Sequence, residues 1–142
     1  KEVTTEGGLN LKYKPKFLKQ IIFKLKKNKS RVSLFIEPNL LDIKKAKLLN
    51  VDCIEIHTGR ICNQINENQK FRKEYDKIKK AVVYANSLGL EVHAGHGLTY
   101  KSAKILTKIK GIKEFNIGHF LIGEAIFVGL SKSIKKFKKI II

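Results

Sequence analysis

Four short apolar segments punctuate this chain, and each is followed by a longer stretch with helical periodicity. A strand, a helix and a second strand in succession put the strands side by side in parallel, because the helix carries the chain back to the edge it started from. The strand segments are 31–37 (RVSLFIE), 51–57 (VDCIEIH), 90–94 (LEVHA) and 114–117 (EFNI). They are short, rich in β-branched and aromatic residues, and bounded by proline or glycine. The spacing predicts a helix over 15–29, with Phe17, Leu18, Ile21, Ile22 and Leu25 on one side and lysines on the other. Further helices are predicted over 41–49, from about 70 to 87 (Tyr75, Ile78, Val82, Ala85), over 99–109 (Ala103, Ile105, Leu106, Ile109) and over 121–139, broken near Gly129. The asparagine-rich stretch 60–69 predicts a polar loop.

The faces of these strands narrow the choice of architecture. Side chains alternate across a sheet. Val32, Leu34 and Ile36 share one face with Ile54 and Ile56; Ser33, Phe35, Glu37, Cys53, Glu55 and His57 share the other. In the fourth strand Phe115 and Ile117 oppose Glu114 and Asn116. An open parallel sheet covered on both sides is aliphatic on both faces. One aliphatic face, with polar groups gathering toward the strand ends on the other, is the layout of a barrel whose interior opens into an active site. The α/β class and a (β/α)8 TIM barrel are therefore expected. A whole barrel has eight strands and typically about 250 residues. At 142 residues, this chain is expected to be a portion of one such domain, with no second domain.

Chemistry concentrates at the strand ends. In the stretch Glu91 to Tyr100, His96 stands between Gly95 and Gly97, and Thr99 opens the next helix. Glycines there let a ligand approach the backbone and the imidazole closely. The competing reading is a solvated loop histidine between two turn glycines. Gly118 and His119 repeat the pattern after the fourth strand. A glycine at a strand end, ahead of a helix N-terminus, is a natural phosphate cradle, with Gly97 and Gly118 offering backbone N–H groups. Glu55 and His57 are candidates for proton transfer or for stabilising charge. A buried carboxylate paired with a lysine is the structural alternative for Glu55.

The formal net charge of +18 raises the possibility of a nucleic-acid partner. The basic residues are nearly all lysines spread over every predicted helix, and arginine occurs only at Arg31, Arg60 and Arg72. Arginine is the residue suited to bidentate phosphate and base recognition. Abundant lysine, isoleucine and asparagine point instead to an AT-rich coding sequence, so no nucleic-acid partner is expected. Cys53 and Cys62 have no metal-ligand spacing, and no metal is expected. No apolar run is long enough for a bilayer, so no membrane partner and a cytoplasmic location are expected.

Several motifs together resemble one family. EVTTEGG at Glu2 to Gly8, SLFI at Ser33 to Ile36, IEIHTG at Ile54 to Gly59, SLGLEVHAGHGLTY at Ser87 to Tyr100 and NIGH at Asn116 to His119 resemble the pyridoxine 5′-phosphate synthase family, in order along the chain. The resemblance implies a TIM barrel, of which this chain covers the loop after strand 4 through helix 8. It implies condensation of 3-amino-2-oxopropyl phosphate with 1-deoxy-D-xylulose 5-phosphate to give pyridoxine 5′-phosphate, inorganic phosphate and water, in de novo vitamin B6 synthesis. No cofactor is implied, and assembly as a homo-oligomer of whole barrels is. Position by position, His96 matches the proton donor and Glu55 the carboxylate that stabilises the transition state. Gly97, Gly118 and His119 match contacts to 3-amino-2-oxopropyl phosphate, and Thr4 a contact to 1-deoxy-D-xylulose 5-phosphate on a lid-like loop.

The chain departs from the family pattern at His93, where asparagine is usual, and at Glu124, where arginine is common. It opens on Lys1 rather than methionine, which points to a processed chain or a fragment. The resemblance puts the two proton acceptors on earlier strands, so this portion alone is expected to be inactive. Two other readings compete: a different phosphate-binding barrel enzyme, which predicts a strand-end lysine or carboxylate pair, and a basic nucleic-acid-binding module.

Overall fold

The computed structural model describes residues 7–141. Its elements run α1 (Pro15–Lys27), β1 (Ser33–Ile36), α2 (Leu40–Leu48), β2 (Cys53–His57), α3 (Gly59–Asn66), α4 (Arg72–Ser87), β3 (Glu91–Gly95), α5 (Tyr100–Leu106), β4 (Ile112–Asn116), α6 (His119–Val128) and α7 (Leu130–Ile141). The strands form one parallel sheet in the order β1-β2-β3-β4. Chain order and sheet order coincide, as they do when every crossover has the same hand. The pattern of alternating strands and helices therefore holds.

Local chemistry explains the boundaries. Pro15 opens α1, where its missing N–H costs nothing. Asn39 caps α2, its side-chain oxygen accepting from Leu41 N at 2.9 Å. Thr99 caps α5 as expected: its hydroxyl accepts from Ser102 N, and Ser102 Oγ accepts from Thr99 N at 2.8 Å, a reciprocal capping box. Gly129, at φ 84°, breaks the last helical stretch into α6 and α7, also as expected.

Two readings change. The stretch 60–69 is not a loop: Gly59–Asn66 is the helix α3, with Ile61, Cys62 and Ile65 buried. Its apolar residues keep helical spacing, but three asparagines and two glutamines across that region obscured it. Gly95, read as a turn residue, is the last residue of β3, paired with His57 on one side and Asn116 on the other.

The aliphatic face of the sheet holds Leu34, Ile36, Ile54, Ile56, Val92 and Ala94, all buried. Ile43 and Ala46 of α2, Ile78, Ala81, Val82 and Ala85 of α4, and Ala103 and Leu106 of α5 complete that core. Burying each of the larger aliphatic side chains contributes about 1.5–3 kcal/mol. The opposite face carries rows of polar residues in register. One row crosses Phe35, Glu55, His93 and Glu114; the next, nearer the strand ends, crosses His57, Gly95 and Asn116. Among the described residues β1 and β4 each pair with one strand only, although Leu9 N donates to Phe35 O at 2.7 Å and lays the segment before α1 along β1.

Candidate active site

The site grows from the polar face of the sheet where β2, β3 and β4 end. Glu55 lies deepest. Its carboxylate accepts from Asn116 Nδ2 at 2.6 Å, reaching from β2 across β3 to β4. Gly95 is what lets it cross: a Cβ at that position would sit 1.8 Å from Glu55 Oε1. The glycine before His96 therefore serves the carboxylate beneath it. The structural alternative for Glu55, pairing with a lysine, does not hold: its partner is an amide, which orients the carboxylate without cancelling its charge.

Directly beyond Gly95 the chain turns through His96 at φ 76° and Gly97 at φ 74°. The left-handed region costs a non-glycine residue roughly 1–2 kcal/mol, so His96 must be held there. Thr58 holds it. This fully buried threonine follows β2; its N–H donates to Gly95 O at 2.8 Å, and its hydroxyl lies 2.7 Å from Gly95 O and 2.8 Å from His96 O. Gly97 completes the turn against α3, where a Cβ would approach Cys62 Cβ to 3.1 Å. Burial pushes the Cys62 thiol up, opposed by hydrogen bonding to Ser102 and Thr58. Cys62 thus stays neutral and acts as packing under the turn.

The His96 side chain is exposed and faces a cavity of about 520 Å³. His96, Gly97, Thr99, Asn116, Gly118 and His119 line it, together with Asn63 and Asn66 of α3. Four of the six residues singled out from the sequence thus surround one space. Glu55 stands outside its lining and touches it through Asn116. Thr4 lies outside the described residues.

Gly118 caps α6 without any side-chain hydrogen bond, and the first turn of α6 carries no acidic residue. The α6 N-terminus therefore directs free N–H groups and a partial positive charge at the cavity, a setting for a phosphate. The α5 N-terminus differs, since Thr99 and Ser102 satisfy one another there. Thr99 Oγ1 also donates to Asn66 Oδ1 at 2.9 Å, which ties α3 to the cavity rim.

Sequence reasoning missed Asn63, Asn66, Thr58 and the role of Gly95. Asn63 and Asn66 are one helical turn apart, a spacing that would have put both on one face had α3 been recognised. Nothing in the local sequence marked Thr58 beyond its place at the end of β2. His93, at the family's usual asparagine position, is buried and lies 2.8 Å from Glu91 through Nε2 and 3.7 Å from Glu114 through Nδ1. It is directly opposite Glu55 in the sheet. Arg31 draws Glu91 in turn at 2.6 Å. Hydrogen bonds from His93 and Arg31 hold the Glu91 carboxyl below the usual range. The described residues contain no group of histidine, cysteine and carboxylate side chains arranged to hold a metal ion.

The model of the family described as pyridoxal phosphate biosynthesis protein PdxJ matches residues 1–142. A pyridoxine 5′-phosphate synthase of Pelagibacter ubique is 59% identical over 140 residues, covering 99% of this chain and 59% of the relative. Those of Zymomonas mobilis and of a Sulfurihydrogenibium species are 50% and 45% identical, covering 96% and 99% of this chain and 53% and 57% of the relatives. The chain spans less than two thirds of the length of the curated relatives it matches.

Proposed function

This chain belongs to the family of pyridoxal phosphate biosynthesis protein PdxJ, and on that premise we propose that it is the carboxyl-terminal portion of a pyridoxine 5′-phosphate synthase. The enzyme condenses 3-amino-2-oxopropyl phosphate with 1-deoxy-D-xylulose 5-phosphate, releasing inorganic phosphate and water. The observation that carries the reading is the meeting of His96, Gly97, Gly118 and His119 around one cavity, at the ends of adjacent parallel strands.

The parts divide the work as follows. The α6 N-terminus and His119 hold the phosphate of 3-amino-2-oxopropyl phosphate, and the backbone at Gly97 closes over it. His96, exposed at the cavity, donates protons as the amine and ketone condense and water leaves. Glu55, oriented by Asn116, stabilises the positive charge that develops on nitrogen. Thr4 contacts the second substrate. The proton acceptors belong to strands that precede this chain in the whole barrel.

Closure of a (β/α)8 barrel by those strands accounts for the single-sided pairing of β1 and β4, since an open sheet edge is a liability that barrels remove. It also accounts for α6, where Ile126 and Phe127 are 78% and 86% exposed and no residue of the helix is buried. Such surface is ordinarily covered, here by the rest of the barrel and by neighbouring copies in a homo-oligomer. No helix of the described residues is long and apolar enough to cross a membrane; a cytoplasmic location is part of this proposal.

The test uses the whole polypeptide and the 142-residue chain side by side. With both substrates supplied, the whole protein forms pyridoxine 5′-phosphate, and the 142-residue chain forms none because it lacks the bases. Absence of product from the folded whole protein overturns the function, and turnover by the short chain overturns the division of roles.

A further inference from the structure

The proposed mechanism makes no use of His57, the last residue of β2. Its Nδ1 lies 2.8 Å from Glu37 Oε1, just beyond β1. A carboxylate at that distance accepts a hydrogen bond from Nδ1–H, which in a neutral imidazole leaves a lone pair on Nε2. Nε2 is buried and has no hydrogen-bond partner among the described residues. A buried polar atom without a partner costs about 1–3 kcal/mol, so its persistence requires an explanation.

The neighbourhood supplies one. The His57 and His96 rings lie 4.9 Å apart, and Phe35 packs edge-on against His57 at 5.2 Å. Gly59 leaves the space between the two imidazoles open: a Cβ there would stand 2.8 Å from both His57 Nε2 and His96 Cδ2. Glu37 also accepts from Gly8 N at 3.2 Å, which fixes the carboxylate on its own side. His57 is not among the residues that line the cavity, whereas His96 is.

We infer that Glu37 and His57 form a positioning pair for His96: Glu37 fixes the His57 tautomer, and His57 presents its unprotonated Nε2 to the His96 ring, holding that ring in the orientation in which it meets the cavity. The inference deepens the proposed synthase and rests on His96 being its proton donor. A ring packed against an oriented imidazole keeps one rotamer while still facing the cavity. Side chains that orient a reacting group commonly change turnover by about tenfold to a hundredfold.

The experiment uses the whole protein, isotopically labelled at histidine. Long-range proton–nitrogen NMR correlations are expected to show His57 protonated at Nδ1 and bare at Nε2. In Glu37→Ala that tautomer is lost, and the His96 ring loses its fixed set of Overhauser contacts. In steady-state assays His57→Phe, which keeps an aromatic ring against Phe35, lowers kcat about tenfold or more while KM stays within about twofold; His57→Gln, which restores an acceptor, recovers part of the loss. A native His57 carrying its proton on Nε2 overturns the inference, as does a His96 ring that is equally ordered without Glu37. Unchanged kcat in a folded His57→Phe protein does so too. If His57→Phe fails to fold, Glu37→Ala decides by the same NMR readouts. An inactive wild-type protein sinks the synthase reading instead, and the tautomer and ring contacts still decide whether the pair positions His96.

Discussion

Two glycine–histidine turns follow neighbouring strands of the sheet, and they are built in opposite ways. The turn after β3 is held from all sides. Thr58 grips its carbonyls, Cys62 of α3 packs under Gly97, and Glu55 fills the space a side chain at Gly95 would need. The turn after β4 is open. Nothing lies within 4 Å of a Cβ placed at Gly118, and Gly118 is not in the left-handed region. The same residue pair thus takes two backbone forms. At His96 the backbone is strained and braced so that a side chain keeps one position. At Gly118 the backbone is relaxed, and its value is a helix N-terminus with free N–H groups. The proposed roles match this difference: a proton donor needs positional accuracy, whereas a phosphate binds a diffuse array of donors.

Substitutions can break this contrast. The largest effect is expected for His96→Ala in the whole protein, which should lower product formation by about a hundredfold or more with the fold intact. His119→Ala should act mainly on the KM of the phosphorylated substrate; equal effects of the two on kcat would erase the distinction drawn between the turns. Gly97→Ala follows. Placing a side chain at φ 74° against Cys62 should destabilise the protein by about 1–2 kcal/mol in denaturant titration. Thr58→Val keeps the shape but removes the hydroxyl, and should cost about 1 kcal/mol. Its activity loss should exceed its stability loss, because His96 is released. Gly118→Ala should change stability by no more than about 0.5 kcal/mol; a loss as large as that of Gly97→Ala would show that the second turn is braced after all.

A further difference concerns pH. At the opposite end of β2, Asp52 accepts from Lys26 Nζ at 2.8 Å and from Val32 N at 2.9 Å. The Lys26 hydrogen bond, followed by that from Val32 N, holds its carboxyl below the usual range. A carboxyl lowered in the folded state contributes stability above its unfolded pKa, and that stability is lost as the pH falls through the folded pKa. Asp52→Asn should therefore flatten the acid limb of the stability profile and leave the neutral region of the His96 turn untouched. A steeper acid limb in the variant would contradict the assignment.

Much of this protein could be read from residues alone. Alternating β-branched and helical segments determine a parallel α/β sheet, because strand and helix periods differ and the chain must return between strands. The split between Leu34, Ile36, Ile54 and Ile56 on one face and Glu55 and His57 on the other determined which face would carry chemistry. Thr99 announced its helix because capping is a local interaction. Other features were decided only in three dimensions. Gly95 looks like a turn residue until Glu55, forty residues earlier, is laid across it. The helix α3 is hidden by its polar composition until the core claims Ile61, Cys62 and Ile65. Thr58 acquires its role from carbonyls thirty-seven and thirty-eight residues away, and His57 from a glutamate just past the end of the neighbouring strand. Periodicity and capping act within a few residues and are written in the sequence; the bracing of a strained turn is a contact between distant segments, and only the packed chain brings them together.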